Sequence, residues 1–198
     1  AIPSGSVLDL GAADGDLSFL FAEAGAAVDA LESQQTNFNK GEGLRRLNDA
    51  FGGRVRITFV DIDFGFSLPR EYDLCLANGI AYHLRNPFLV YMTLAQHCRF
   101  MITNTRVIDV EPGRRWLPHI WRRPFAYLLD RREVNDDPTN YWFLSPEAYR
   151  RVLKRSGWRI LREDFVGANM GSLQKDKRMW ALCERVPNYA DLRLHHDF

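Results

Sequence analysis

The sequence predicts an α/β protein, a mostly parallel sheet with helices on both faces, and three observations carry that expectation. Short apolar runs alternate with segments whose apolar residues recur at helical spacing. The first of these runs ends on a glycine turn that opens directly into a helix. The chain has 198 residues, 46% hydrophobic and 26% charged, which is enough to close one sizeable core and implies a single domain over residues 1–198.

Val7-Leu8-Asp9-Leu10 reads as the first strand and stops at Gly11. Leu17, Phe19, Leu20 and Ala24 follow at helical spacing, and Gly25 closes that helix. Ala27 to Leu31 is a second strand, and Phe38 to Phe51 a helix with Leu44 and Leu47 turned inward. Val55 to Val60 and Tyr72 to Ala77 give the third and fourth strands. Pro87, suited to a first helical turn, opens a helix through His97, and Phe100 to Thr105 returns as the fifth strand. Residues 106–144 fit neither period and are expected to form a lid-like insertion. Ser145 then caps a helix that begins with Pro146 and stops at Gly157. Trp158 to Glu163 and Arg178 to Glu184 read as an antiparallel pair.

Lysine and arginine total 26 against 25 acids, a net charge of +1, so the whole chain is no polycation built to coat nucleic acid or membrane. Its halves differ: residues 1–80 hold twelve acids and six bases, residues 81–198 thirteen acids and twenty bases. One end suits a cationic ligand and the other an anionic one. Cys75, Cys98 and Cys183 lie in apolar surroundings without a paired spacing, which argues for core thiols in a reducing compartment and against a disulfide framework or zinc. The adjacent His195 and His196 lack further ligands, and no metal is expected. No apolar run approaches membrane length and no leader opens the chain. The expectation is a soluble, cytoplasmic protein, its N-terminus trimmed ahead of Ala1.

In an open parallel sheet, ligands bind beyond the carboxyl ends of the strands, near the first strand-to-helix turn. That turn, Gly11-Ala12-Ala13-Asp14-Gly15, keeps the first glycine of a dinucleotide fingerprint but puts Ala13 and Asp16 where the other two belong. Asp14 and Asp16 would repel a pyrophosphate, so a nicotinamide dinucleotide is disfavoured. A phosphate-free nucleoside with a positive charge fits better. Glu32, about 20 residues on, ends the second strand where a carboxylate can accept from a ribose diol. Asp61 ends the third, within reach of an exocyclic amino group.

With these residues in place the chain resembles the class I S-adenosylmethionine-dependent methyltransferases. The matching segments are Val7 to Gly15 for the glycine motif, Glu32 for the ribose acid, Val60-Asp61-Ile62 for the adenine contact, and Tyr72 to Asn78 for the strand entering the active site. The resemblance implies a Rossmann-like sheet of about seven strands with the last antiparallel, and S-adenosyl-L-methionine as cofactor. Gly11, Ala13, Asp14 and Gly15 would cradle its methionine part, Glu32 would take the ribose, Asp61 and Ile62 the adenine, and Asn78 the methionine end through its backbone, with Asp9, Ser33 and Gly79 also among the cofactor-binding residues. Family members usually carry a helix before the first strand that covers the cofactor.

Methyl transfer is a direct displacement, so the protein must align the reactants and exclude water. A base is needed only when the nucleophile loses a proton. His83 is the candidate base and Tyr82 a pocket wall or acid. The segment lacks the Asn-Pro-Pro-Tyr motif of amino-methylating DNA enzymes, which disfavours adenine methylation. Tyr82-His83-Leu84-Arg85-Asn86-Pro87 is similar to a branch that includes the wobble-uridine carboxymethyltransferases of transfer RNA. Tyr141 and Trp142 resemble the acceptor-facing segment of small-molecule methyltransferases, and Arg115 is a further acceptor candidate. Residues 106–132 carry seven arginines interleaved with Trp116, Trp121 and Tyr127, a pattern able to hold phosphates and stacked bases. The favoured reading is O- or C-methylation of a small-molecule or carrier-linked acceptor. Transfer RNA modification and a non-catalytic binding subunit of the same fold are the alternatives.

Overall fold

The computed structural model describes residues 5–108, 123–167 and 173–187. Seven strands form one sheet: β1 (Ser6–Leu10), β2 (Ala27–Glu32), β3 (Val55–Phe59), β4 (Tyr72–Asn78), β5 (Cys98–Arg106), β8 (Trp158–Gly167) and β9 (Lys177–Arg185). Their spatial order is β3-β2-β1-β4-β5-β9-β8. The first five are parallel and β9 alone runs against its neighbours, hydrogen-bonded to β5 on one side and β8 on the other. Strand order reverses between β1 and β4, which puts the ends of those two strands at the crevice such a sheet offers a ligand.

Helices α1 (Asp16–Glu23) and α2 (Glu42–Ala50) lie on the sheet face that carries Val7, Val28 and Ala30. Helices α3 (Pro87–His97) and α4 (Pro146–Arg155) cover the other, packing on Leu8, Cys75 and Met101. There the hydroxyls of Tyr91, Tyr149 and Thr103 satisfy one another inside the core, and Trp158 Nε1 donates to the Tyr91 carbonyl. All three cysteines are buried free thiols on this face. No helix among the described residues is long and apolar enough to cross a membrane, and no cluster there could hold a metal ion.

Two expectations need correction. Leu17 and Leu20 face outward, Leu20 being 52% exposed, while Ser18, Phe19, Phe21 and Ala22 are buried. A helix apolar on nearly every side has no phase to read from spacing, and Ser18 is drawn in by donating to Asp9. The second helix begins at Glu42 rather than Phe38, which is 81% exposed. Asn37 Oδ1 accepts from the amides of Asn39 and Gly41, and Lys40 and Gly41 have positive φ, so the chain turns before it can coil. Within the 106–144 insertion lies a ribbon of β6 (Ala126–Leu128) and β7 (Trp142–Leu144), docked on the end of β5 through Ile108 and Leu144. Three-residue strands are too short to show a period.

Candidate active site

The first turn owes its shape to left-handed backbone at Gly11, Ala13 and Gly15. A Cβ at Gly11 would meet Ile80 Cγ2 at 2.9 Å, and one at Gly15 would meet Leu44 and Phe19 at 2.5 and 2.6 Å. Those two glycines are therefore demanded by the packing of the protein itself. The amide of Ala13 donates to Glu32 Oε2 at 2.6 Å, and that of Ser33 to Glu32 Oε1 at 2.9 Å. Burial raises the Glu32 carboxyl above its ordinary range. The two amides and Asn37 pull against that, and the charge of Asp14 adds to it.

Asp14 Oδ1 accepts from Asn39 Nδ2 at 2.8 Å, and α2 approaches so closely that a side chain at Gly43 would strike this carboxylate. Asp14 thus joins the first turn to α2 and caps nothing; the N-cap of α1 is Gly15, without a side-chain bond. Asp61 Oδ1 accepts from the Asp63 amide at 3.1 Å, starting the single turn that holds Ile62. No ion pair neutralises Asp14, Glu32 or Asp61 among the described residues. Beside them Ser33 Oγ and Asn39 Oδ1 are buried without partners, each lacking a bond that a polar ligand can supply. Asp9 sits deeper, 4% exposed beneath α1, where Ser18 Oγ donates to it at 2.6 Å. Burial, with the nearby Glu32 charge, pushes its carboxyl up to about 6 despite the bonds from Ser18.

The ends of β4, β5 and β9 build the second half of the site. Asn104 Nδ2 donates to Asn78 Oδ1 and its carbonyl accepts from the Gly79 amide; Arg178 Nη1 then donates to Asn104 Oδ1 at 3.2 Å. Gly79, at φ 71°, brings the backbone to where a Cβ would meet that guanidinium at 3.3 Å. Next to it Tyr82, His83, Arg106, Asn140, Asp137 and Arg178 help to line a cavity of about 140 Å³. A larger one, about 790 Å³, runs along Asp29, Arg56 and Phe66 beneath the β3–β4 connection, away from His83. The Tyr82 ring packs on His83 and Phe143. Arg106 is committed to holding the turn that precedes β9, through the Leu173 and Lys175 carbonyls and Asp176. Burial lowers the His83 imidazole below its ordinary value. Thr139 and Asp137 oppose the shift, and Arg178 and Arg106 add to it.

Glu32 and Asp14 therefore sit together at the first turn, Asp61 follows Val60, whose amide bonds the Glu32 carbonyl, and Gly79, Tyr82 and His83 lie together after β4. Tyr141 and Trp142 do not line the His83 cavity. The Tyr141 ring lies under Arg85, 5.0 Å away, and Trp142 Nε1 donates to the Leu84 carbonyl at 2.8 Å. Arg114, Arg115 and Arg122 of the arginine-rich stretch lie outside the described residues, with Trp116 and Trp121, as do His195 and His196. Sequence reasoning missed Asn104, Asp137, Thr139, Asn140 and Arg178. Strand-end position was a signal for Asn104 and Arg178, legible only once β9 is known to lie beside β5.

Comparison with known proteins rests on the fold. The glycopeptide N-methyltransferase MtfA complexed with S-adenosyl-L-methionine superposes with a TM-score of 0.64 at 19% identity, over 94% of this chain and 83% of that one. The chain has the class I methyltransferase fold. The N-terminal domain of EvdMO1 with S-adenosylhomocysteine bound matches with a TM-score of 0.64 at 16% identity, covering 91% of this chain and 74% of that one. The mitomycin 7-O-methyltransferase MmcR matches with a TM-score of 0.60 at 16% identity, over 92% of this chain and 49% of that one. No family model and no curated protein sequence matches the chain. In this methyltransferase fold the acid-lined first turn and the His83 cavity sit side by side along the carboxyl rim of the sheet.

Proposed function

We propose that the protein is an S-adenosylmethionine-dependent methyltransferase acting on a small-molecule or carrier-linked acceptor. The observation that carries this reading is a rim of three un-neutralised carboxylates, Asp14, Glu32 and Asp61, beside the orphaned polar atoms Ser33 Oγ and Asn39 Oδ1. Such a rim repels phosphate and favours a cation. S-adenosylmethionine supplies a methyl group on a positively charged sulfur, open to direct displacement.

On this reading Glu32, its oxygens already aimed by the Ala13 and Ser33 amides, accepts from the ribose diol with the lone pairs that remain. Ser33 Oγ gains a partner there. Asp61 keeps Oδ2 for the adenine amino group, with Ile62 against the ring. The Asn78–Gly79 backbone, fixed by Asn104, meets the methionine end. His83, held neutral by burial, takes the acceptor's proton, and Tyr82 walls the pocket. The test is calorimetric titration of the purified chain with S-adenosylhomocysteine and with NAD. Saturable binding of the first and none of the second is expected; a folded chain that binds neither, or NAD alone, overturns the proposal.

A further inference from the structure

The imidazole of His83 is gripped on one edge only. Its Nδ1 lies 3.1 Å from the Thr139 carbonyl and 2.9 Å from Thr139 Oγ1. A carbonyl can only accept. Thr139 Oγ1 has one proton and gives it to Asp137 Oδ1 at 2.6 Å, so toward His83 it too can only accept. The same Asp137 oxygen takes the Thr139 amide at 2.8 Å, which fixes the threonine as a unit. Two acceptors facing one nitrogen require that nitrogen to carry the hydrogen. The lone pair of the neutral ring then resides on Nε2, which has no protein partner among the described residues. Asn140, lining the same cavity, donates to the Val134 and Asp137 carbonyls and leaves a buried Oδ1 unpartnered. The cavity therefore offers two acceptors in want of donors.

We propose that Thr139, oriented by Asp137, is a positioning residue that locks His83 as the Nδ1–H tautomer, so that Nε2 is the atom that receives the proton of a neutral hydroxyl acceptor. This rests on the methyltransferase reading and, among oxygen acceptors, selects a hydroxyl over a carboxylate. A carboxylate has no proton to give at neutral pH and would face two acceptors. In the transfer the O–H bond breaks and its proton passes to Nε2. The oxygen forms the new O–CH3 bond, and the S–CH3 electron pair returns to sulfur. An ether, a thioether and an imidazolium result, and the imidazolium returns its proton to water. The charged groups facing the ring are Asp137, Arg178, Arg106 and Asp176, with Tyr82 stacked beside it.

Nitrogen-15 NMR of the histidine-labelled full chain tests the lock without any acceptor, the His83 signals being identified by their loss in His83→Gln. At neutral pH the expected signature is protonated Nδ1 and unprotonated Nε2. Thr139→Val should lower the ratio of that tautomer to the other by about fivefold, the weight of one hydrogen bond, and Thr139→Ser should restore it. An Nε2–H tautomer in the parent, or a Thr139→Val spectrum unchanged from it, overturns the proposal. S-adenosylhomocysteine titration of the same samples keeps the two readings apart. Loss of ligand binding with the Nδ1–H signature intact fails the methyltransferase, whereas intact binding with the wrong tautomer fails the lock.

Discussion

Glu32 Oε2 lies 2.6 Å from the amide of Ala13, so the end of β2 clamps the turn that follows β1. One carboxylate thereby shapes the loop and, in the proposed function, also accepts from a ligand diol on its other lone pairs. Glu32→Ala should weaken S-adenosylhomocysteine binding at least about tenfold, roughly 1.4 kcal/mol, for loss of a charge-assisted contact. An unchanged isotherm would remove Glu32 from the site.

Asp9 gives a pH-dependent stability with a definite sign. Its folded carboxyl is raised to about 6 from an ordinary 3.8, chiefly by burial, so folding favours the protonated form. The stabilisation is complete below pH 3.8 and is lost as pH rises through 6. Asp9→Asn should therefore exceed the parent by on the order of 2–3 kcal/mol at pH 7.5 and match it near pH 3.5. Urea denaturation at both values checks this; an equal difference at the two would contradict the assigned cause.

Gly15 and Gly53 both have positive φ, yet only Gly15 has neighbours where a Cβ would go. Alanine at either should cost about 1–2 kcal/mol of backbone strain. At Gly15 the collision with Leu44 and Phe19 should add a further ~1–3 kcal/mol. Parallel denaturation curves measure the difference, and equal losses would mean that the packing gives way freely.

His83→Gln should leave S-adenosylhomocysteine affinity within about twofold and slow methyl transfer to a hydroxyl acceptor at least about 100-fold, the range typical of a lost general base. Undiminished transfer in a single-turnover assay would show that the acceptor needs no base.

Trp142 separates a structural from an acceptor-binding role. Trp142→Phe keeps an aromatic ring but loses the bond to the Leu84 carbonyl, so stability should drop by about 1 kcal/mol. Cofactor affinity should stay unchanged. A loss of acceptor affinity without loss of stability would return Trp142 to the acceptor side.

What the sequence determined by itself was local. Strand-forming runs, the cap at Ser145, the first-turn prolines Pro87 and Pro146, and the acids at three strand ends are all written within a few residues of one another. In a parallel sheet, acids that close β2 and follow β3 fall at the carboxyl rim. The buried face of α1 goes with a bond between adjacent elements, Ser18 to Asp9, and the start of α2 with Asn37 capturing amides two and four residues on, a local signal that apolar spacing does not carry. The His83 cavity depends on still more distant contacts. His83, Thr139 and Arg178 are far apart in the chain and meet because β9 inserts beside β5 and the β6–β7 ribbon docks on that strand's end. A side chain's chemistry is carried by its own atoms, but its protonation and tautomer belong to whatever tertiary contact desolvates it and occupies its lone pairs.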